Sequence, residues 1–153
     1  MFKFDYHNIK TFADACKKLG IKNDMLISSG GGDIEAQRQA QALYKLLIIQ
    51  KAMNNGIWHD EDGWSYYPYW VFYSKREMER MSKEEKQRKG IRQLTPCAYA
   101  ENLGIRWVNV NGHGMNTSTH SGFPLCFNSE DAALYAGKQF IDIWADFVFN
   151  SNK

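Results

Sequence analysis

The chain has 153 residues, with 19 basic and 17 acidic side chains and a formal net charge of +2. Its 44% hydrophobic and 24% charged residues exclude wholesale disorder, and a near-balanced charge neither demands a polyanionic partner nor excludes one. The length fits one domain, residues 1–153, whose core needs no disulfide or metal.

The N-terminal MFKFDYHNIKTF lacks the apolar run of a signal peptide, and no later run reaches a membrane-spanning length. Cys16, Cys97 and Cys126 are odd in number and far apart, which fits a reducing cytoplasm better than a disulfide framework.

A first helix is predicted from Thr11 to Leu19, with Thr11 as N-cap, Asp14 three residues on and Gly20 as the stop. Phe12, Ala15, Cys16 and Leu19 share one face, making Cys16 a small buried hydrophobe. SSGGGD then leads into a second helix of about twenty residues, capped by Asp33 and ending near Gly56. Its stripe is read as Ala36, Ala40, Leu43 and Leu47, and residues 43–49 are apolar on nearly every side, as in a central core helix.

After the acidic HDEDG comes DGWSYYPYWVFY, rings around a single proline. Residues 64–73 are strong strand formers, and Pro68 places the strand at an edge or a bulge, or splits it. Alternation sends Tyr66, Pro68, Trp70 and Phe72 to one face and Tyr67, Tyr69, Val71 and Tyr73 to the other. Residues 74–93 change character, with twelve charged side chains and no ring. They read as a charged surface insertion that Met78 and Met81 anchor if it is helical. Two further strands are expected, IRWVNV (105–110) and GFPLCF (122–127), joined by the polar loop NGHGMNTSTHS. A last helix is predicted from about Ser129 to Phe149, with Asn128 as cap and a stripe of Ala133, Ala136, Gly137, Phe140, Trp144, Phe147 and Val148. This order implies an α+β fold: a small antiparallel sheet of about three or four strands with helices packed on one face.

Four pieces, KTFADACKKLGI, ALYKLLIIQKAMNNG, YYPYW and PLCFNSEDAALYAGKQFIDIWADF, cover roughly half the chain. In this order they resemble an uncharacterised family of small proteins encoded by gut Bacteroidales and their phages or mobile elements. The resemblance implies a phage or mobile-element setting, in the host cytoplasm or a virion, and carries no catalytic residues. The charged segment 74–93 departs from the family's shorter form.

No catalytic motif stands out, and no cofactor or metal is expected. SSGGGD precedes a helix as phosphate loops do, but it lacks the Lys-Ser/Thr signature, and Asp33 puts a negative charge where the phosphate would go. In HDEDG, Asp60-x-Asp62-Gly63 begins like a calcium loop, yet Val71 stands where the closing Glu belongs. His113 and His120 flank the polar loop and are the place to look for acid–base chemistry, with Cys126 as a third member. Their spacing fits no zinc or thiol-protease pattern.

The aromatic strand carries the functional expectation. One face, with Trp70 and Phe72, is read as core against the second and last helices. Tyr67, Tyr69 and Tyr73 on the other form a platform on which bases of single-stranded nucleic acid or a nucleotide stack, with phosphate contacts from Lys75, Arg76 and Arg80. The competing expectation is a protein–protein module: a virion component, a homo-oligomer, or an inhibitor of a host factor.

Overall fold

The computed structural model describes residues 5–24, 32–57, 64–93, 104–114 and 125–149. It is a mixture of helix and strand, the class that the element order implies. After a 3₁₀ turn at Tyr6–Asn8, the chain runs α1 (Phe12–Leu19), α2 (Ile34–Met53), β1 (Trp64–Tyr73), α3 (Lys75–Arg80), α4 (Lys83–Arg88), β2 (Arg92–Gln93), β3 (Gly104–Gly114), α5 (Glu130–Gln139) and α6 (Ile141–Phe149). Among the described residues the strands are antiparallel, in the order β1–β3–β2, so β1 lies at an edge.

Local chemistry sets the ends of α1. The Thr11 hydroxyl accepts from the Asp14 N–H at 3.1 Å while the Asp14 carboxylate accepts from the Thr11 N–H at 2.8 Å, a reciprocal box that satisfies orphan donors of the first turn. Gly20, at φ 67°, takes the left-handed turn that closes the helix, a conformation in which a Cβ is strained. Asp33 caps α2 through the N–H groups of Glu35 and Ala36.

The core gathers α1, α2, α5 and α6 around Leu46, Ile49, Phe127, Phe140 and Trp144. Leu43, Leu47 and Ile48 pack around it, so the apolar half of α2 does lie at the centre. The buried face of α2, however, centres on Ala42, Leu46, Ile49 and Met53, with Gln41, Gln50 and Ala52 beside them, one step around from the predicted stripe. Ala36 is exposed, because the faces that α1 and α6 cover lie elsewhere on the helix. A helix that is apolar nearly all round does not reveal which side its neighbours will take.

The single terminal helix of the sequence reading is two helices. Phe140, at φ −109° and ψ 25°, leaves helical geometry, and its carbonyl accepts from the N–H groups of Ile143 and Trp144 to start α6. Ala133, Ala136, Gly137, Phe140 and Trp144 are buried as predicted, but Val148 is exposed near the chain end. The cap is Ser129, whose hydroxyl accepts from the Ala132 N–H at 3.2 Å. Asn128 is held instead by the C-cap of α2, its N–H donating to Asn54 Oδ1 at 3.1 Å.

The charged segment folds into α3 and α4 and then enters the sheet as β2. Met78 is its buried anchor and Met81 is half-buried. Of the predicted strand at 122–127, residues 125–127 are described, and Phe127 forms a single bridge to Tyr66. β3 extends past the predicted end through Gly114, because Trp64–Tyr67 pair with Asn111–Gly114. Pairing with a ten-residue neighbour overrides the poor strand propensity of Asn and Gly.

Candidate functional site

β1 divides its rings between two environments. Tyr66 and Trp70 pack on the core, and Pro68 between them is buried. Tyr66 exchanges backbone hydrogen bonds with Phe127, donating at 3.0 Å and accepting at 2.7 Å. Trp70 lies against Trp144 of α6, ring centroids 4.5 Å apart. A register shift between Tyr69 and Trp70, where β3 spends an extra residue at Val108, sits one position beyond Pro68. Edge position and bulge together accommodate a residue without an N–H, as Pro68 requires.

Phe72 departs from expectation. It shares alternation with Trp70 but is 45% exposed, since the row of β1 that packs against the core stops at the half-buried Trp70. On the opposite row Tyr67, Val71 and Tyr73 are half-buried. Tyr69 lies between them in β1, its backbone opposite Asn109, and its side chain lies outside the described residues.

The basic residues follow directly. Ser74 caps α3 and brings Lys75, Arg76 and Arg80 to an exposed helix at the end of β1. Two of the four glutamates in this segment are engaged locally. Glu77 accepts from the Ser74 hydroxyl at 2.7 Å and its N–H at 2.8 Å, which hold its carboxyl below the usual glutamate range. Glu85 is held down likewise, by hydrogen bonding to Lys89 at 2.6 Å. The acidic dilution of the basic surface is thereby partly tied up in the helices' own caps and pairs.

The acid–base candidates fare differently. His113 belongs to β3 rather than to a loop, its backbone paired with Ser65. Its side chain lies outside the described residues, and so does all of His120. Cys126 is buried, and burial pushes its thiol up to about 11, far from a reactive thiolate at neutral pH. Its carbonyl is clamped by Gln50 Nε2 at 2.7 Å and Asn54 Nδ2 at 3.1 Å. These bonds lock 125–128 to α2, a structural role for the segment. Cys16 is buried too, with its thiol raised by burial, as its helical face implies.

HDEDG and Cys97 lie outside the described residues, as does most of SSGGGD. Asp33 is described, and its carboxylate occupies the donors at the start of α2, where a phosphate would need them. Among the described residues no group of three metal-ligating side chains converges.

One cluster escapes the sequence reading. His7 Nδ1 lies 2.8 Å from Asp5 Oδ1, and the imidazole stacks on Tyr6 at 4.5 Å and meets Tyr135 edge-on at 4.9 Å. The Tyr135 hydroxyl donates to the Ile9 carbonyl at 3.2 Å, and Gln139 Nε2 donates to the Lys10 carbonyl at 3.0 Å. Burial raises both phenols above the ordinary range, with Asp131 and Asp5 adding at Tyr6 and Asp14 and Asp5 adding at Tyr135. The Asp-x-His spacing is the local signal. Tyr135 lies some 128 residues away from His7, so only folding unites them. The arrangement straps the N-terminal turn to α5.

No known family, curated protein or solved structure matches the chain. Among the described residues no helix is long and apolar enough to cross a membrane.

Proposed function

We propose that the chain is a non-catalytic binding protein of a phage or mobile element that holds single-stranded nucleic acid or a nucleotide on the outward row of β1. In this reading helices cover one face of the sheet and leave the other for the ligand. The observation that carries it is the division of β1. Tyr66 and Trp70, half-buried, pack against the core beside the buried Pro68, while Tyr67 and Tyr73, equally half-buried, lie on the other row outside that cluster, and the exposed Lys75, Arg76 and Arg80 follow at once. Tyr67 and Tyr73 are six positions apart, about 20 Å along a strand, which spans several nucleotides of an extended chain. Each stacked base contributes on the order of 1–3 kcal/mol, and the cations supply a salt-dependent phosphate term. Tyr69 joins this row by sequence alternation.

A labelled oligo-dT followed by fluorescence anisotropy at low and high salt tests the reading. Binding that weakens steeply with salt, and by about tenfold in Tyr67→Ala or Tyr73→Ala, is the expected result. Absence of binding at low salt overturns it.

The second reading is a protein–protein surface, favoured by the exposure of Phe72 at the end of the strand. It requires that light scattering detect self-association, or that a host or phage protein cover the tyrosine row, and that oligo-dT leave both unaffected.

A further inference from the structure

Away from the tyrosine row, α4 ends against the junction of α5 and α6. A cleft of about 460 Å³ opens there, lined by residues 87–91, Gln87 to Ile91, from one side and by Lys138 and Ile141 from the other. Three cations from two separate parts of the chain meet two aliphatic side chains, and among the described residues no carboxylate lines the space. The volume is within the range of small-molecule sites.

Backbone chemistry shapes the near wall. The Ile91 N–H donates to the Lys86 carbonyl at 2.9 Å and the Gly90 N–H to the Gln87 carbonyl at 3.0 Å, the paired bonds of a left-handed helix stop. Gly90 sits at φ 63°, and beyond its own chain neighbours no described atom comes within 4 Å of where a Cβ would stand, so the turn leaves the floor uncrowded. Lys89 is held in place by Glu85, 2.6 Å away, a partner that a bound anion must share or displace. Arg88 and Lys138 are both exposed.

The geometry points to a binding site for a small phosphomonoester with a compact aliphatic body, its phosphate between Arg88 and Lys138 and its body on Ile91 and Ile141. Arg and Lys differ usefully here: the guanidinium offers a planar fork to two phosphate oxygens and the ammonium a point charge. The cleft is open to solvent, and its two aliphatic side chains favour such a molecule over a nucleic-acid backbone, which presents phosphate and sugar without an aliphatic body. The site is independent of the tyrosine row.

The test is a titration of the intact protein with n-butyl phosphate, inorganic phosphate and oligo-dT, followed by the amide NMR signals of Gly90 and Ile91. The expected result is saturable binding of n-butyl phosphate, about tenfold tighter than inorganic phosphate from its buried methylenes. Arg88→Gln and Lys138→Gln, both surface changes, should each weaken it about tenfold, since each removes a charge-assisted contact. Tyr67→Ala should leave n-butyl phosphate binding unchanged while weakening that of oligo-dT about tenfold, which separates this site from the proposed nucleic-acid face. The assignment is overturned if n-butyl phosphate fails to saturate or binds both Gln variants like wild type. It also fails if only oligo-dT moves these two signals, which would make the cleft a contact for backbone phosphates.

Discussion

Trp70 of β1 and Trp144 of α6 are in ring contact, their planes inclined at 44°, and this pair ties the edge of the sheet to the terminal helix pair. Trp144 is 2% exposed and also meets Phe147, so the contact lies inside the core. Replacing Trp144 by Ala should cost about 3–5 kcal/mol in urea denaturation, the usual range for emptying a large aromatic site. Trp144→Phe should cost distinctly less. The indole N–H is buried with no acceptor among the described residues, and phenylalanine removes that donor while keeping most of the ring.

Asn54 should be worth more than its size suggests. Its amide donates to the Cys126 carbonyl and accepts from the Asn128 N–H, joining the end of α2 to the segment that starts α5. Asn54→Ala leaves the Asn128 N–H without that acceptor and is expected to destabilise by about 1–3 kcal/mol in equilibrium unfolding. A loss well below 1 kcal/mol would mean that water replaces the clamp at little cost.

Cys126 sets a pH dependence with a definite sign. Its thiol rises from 9.0 to about 11 on burial, so between these values the unfolded chain loses the proton while the folded chain keeps it. The stabilisation is complete below pH 9 and is lost as pH rises toward 11. Urea midpoints measured across that window should fall more steeply for wild type than for Cys126→Ala. Iodoacetamide should label Cys126 only under conditions that unfold the chain.

At acid pH the sign reverses. Asp14 is held below the ordinary 3.8 by the Thr11 hydroxyl and by backbone donors, and Glu77 below 4.5 by Ser74. Both favour the folded state above those ordinary values, and that contribution is lost as pH falls through their lowered ones. Asp14→Asn should flatten the acid limb of the stability profile, whereas Lys22→Gln, an exposed change outside any helix, should leave it unaltered.

Ser129 starts α5, and Ser129→Ala should cost about 1 kcal/mol through loss of its bond to Ala132. The same mutation tests the cap directly, because the sequence favoured Asn128 for the role. A larger loss from Asn128→Ala than from Ser129→Ala would reverse the assignment made by the structure.

What the sequence determined by itself is local. The cap and stop of α1, the Asp33 cap, the strand character of residues 64–73 and the burial of Cys16 all follow from residue chemistry within a few positions. The tertiary structure decided what depends on distant partners. The burial of Ala42, Leu46, Ile49 and Met53 in α2 was settled by α1 and α6, because a helix apolar on nearly every side carries no preferred direction. The break at Phe140 is invisible to periodicity, since the apolar stripe runs through it in register. The same holds for the rings of β1. Alternation sorted them into two rows, but only the contact with Trp144 and the end of the core-packed row at Trp70 show where core stops and surface begins. Strand period is a property of the backbone, whereas burial is a property of whatever another element covers.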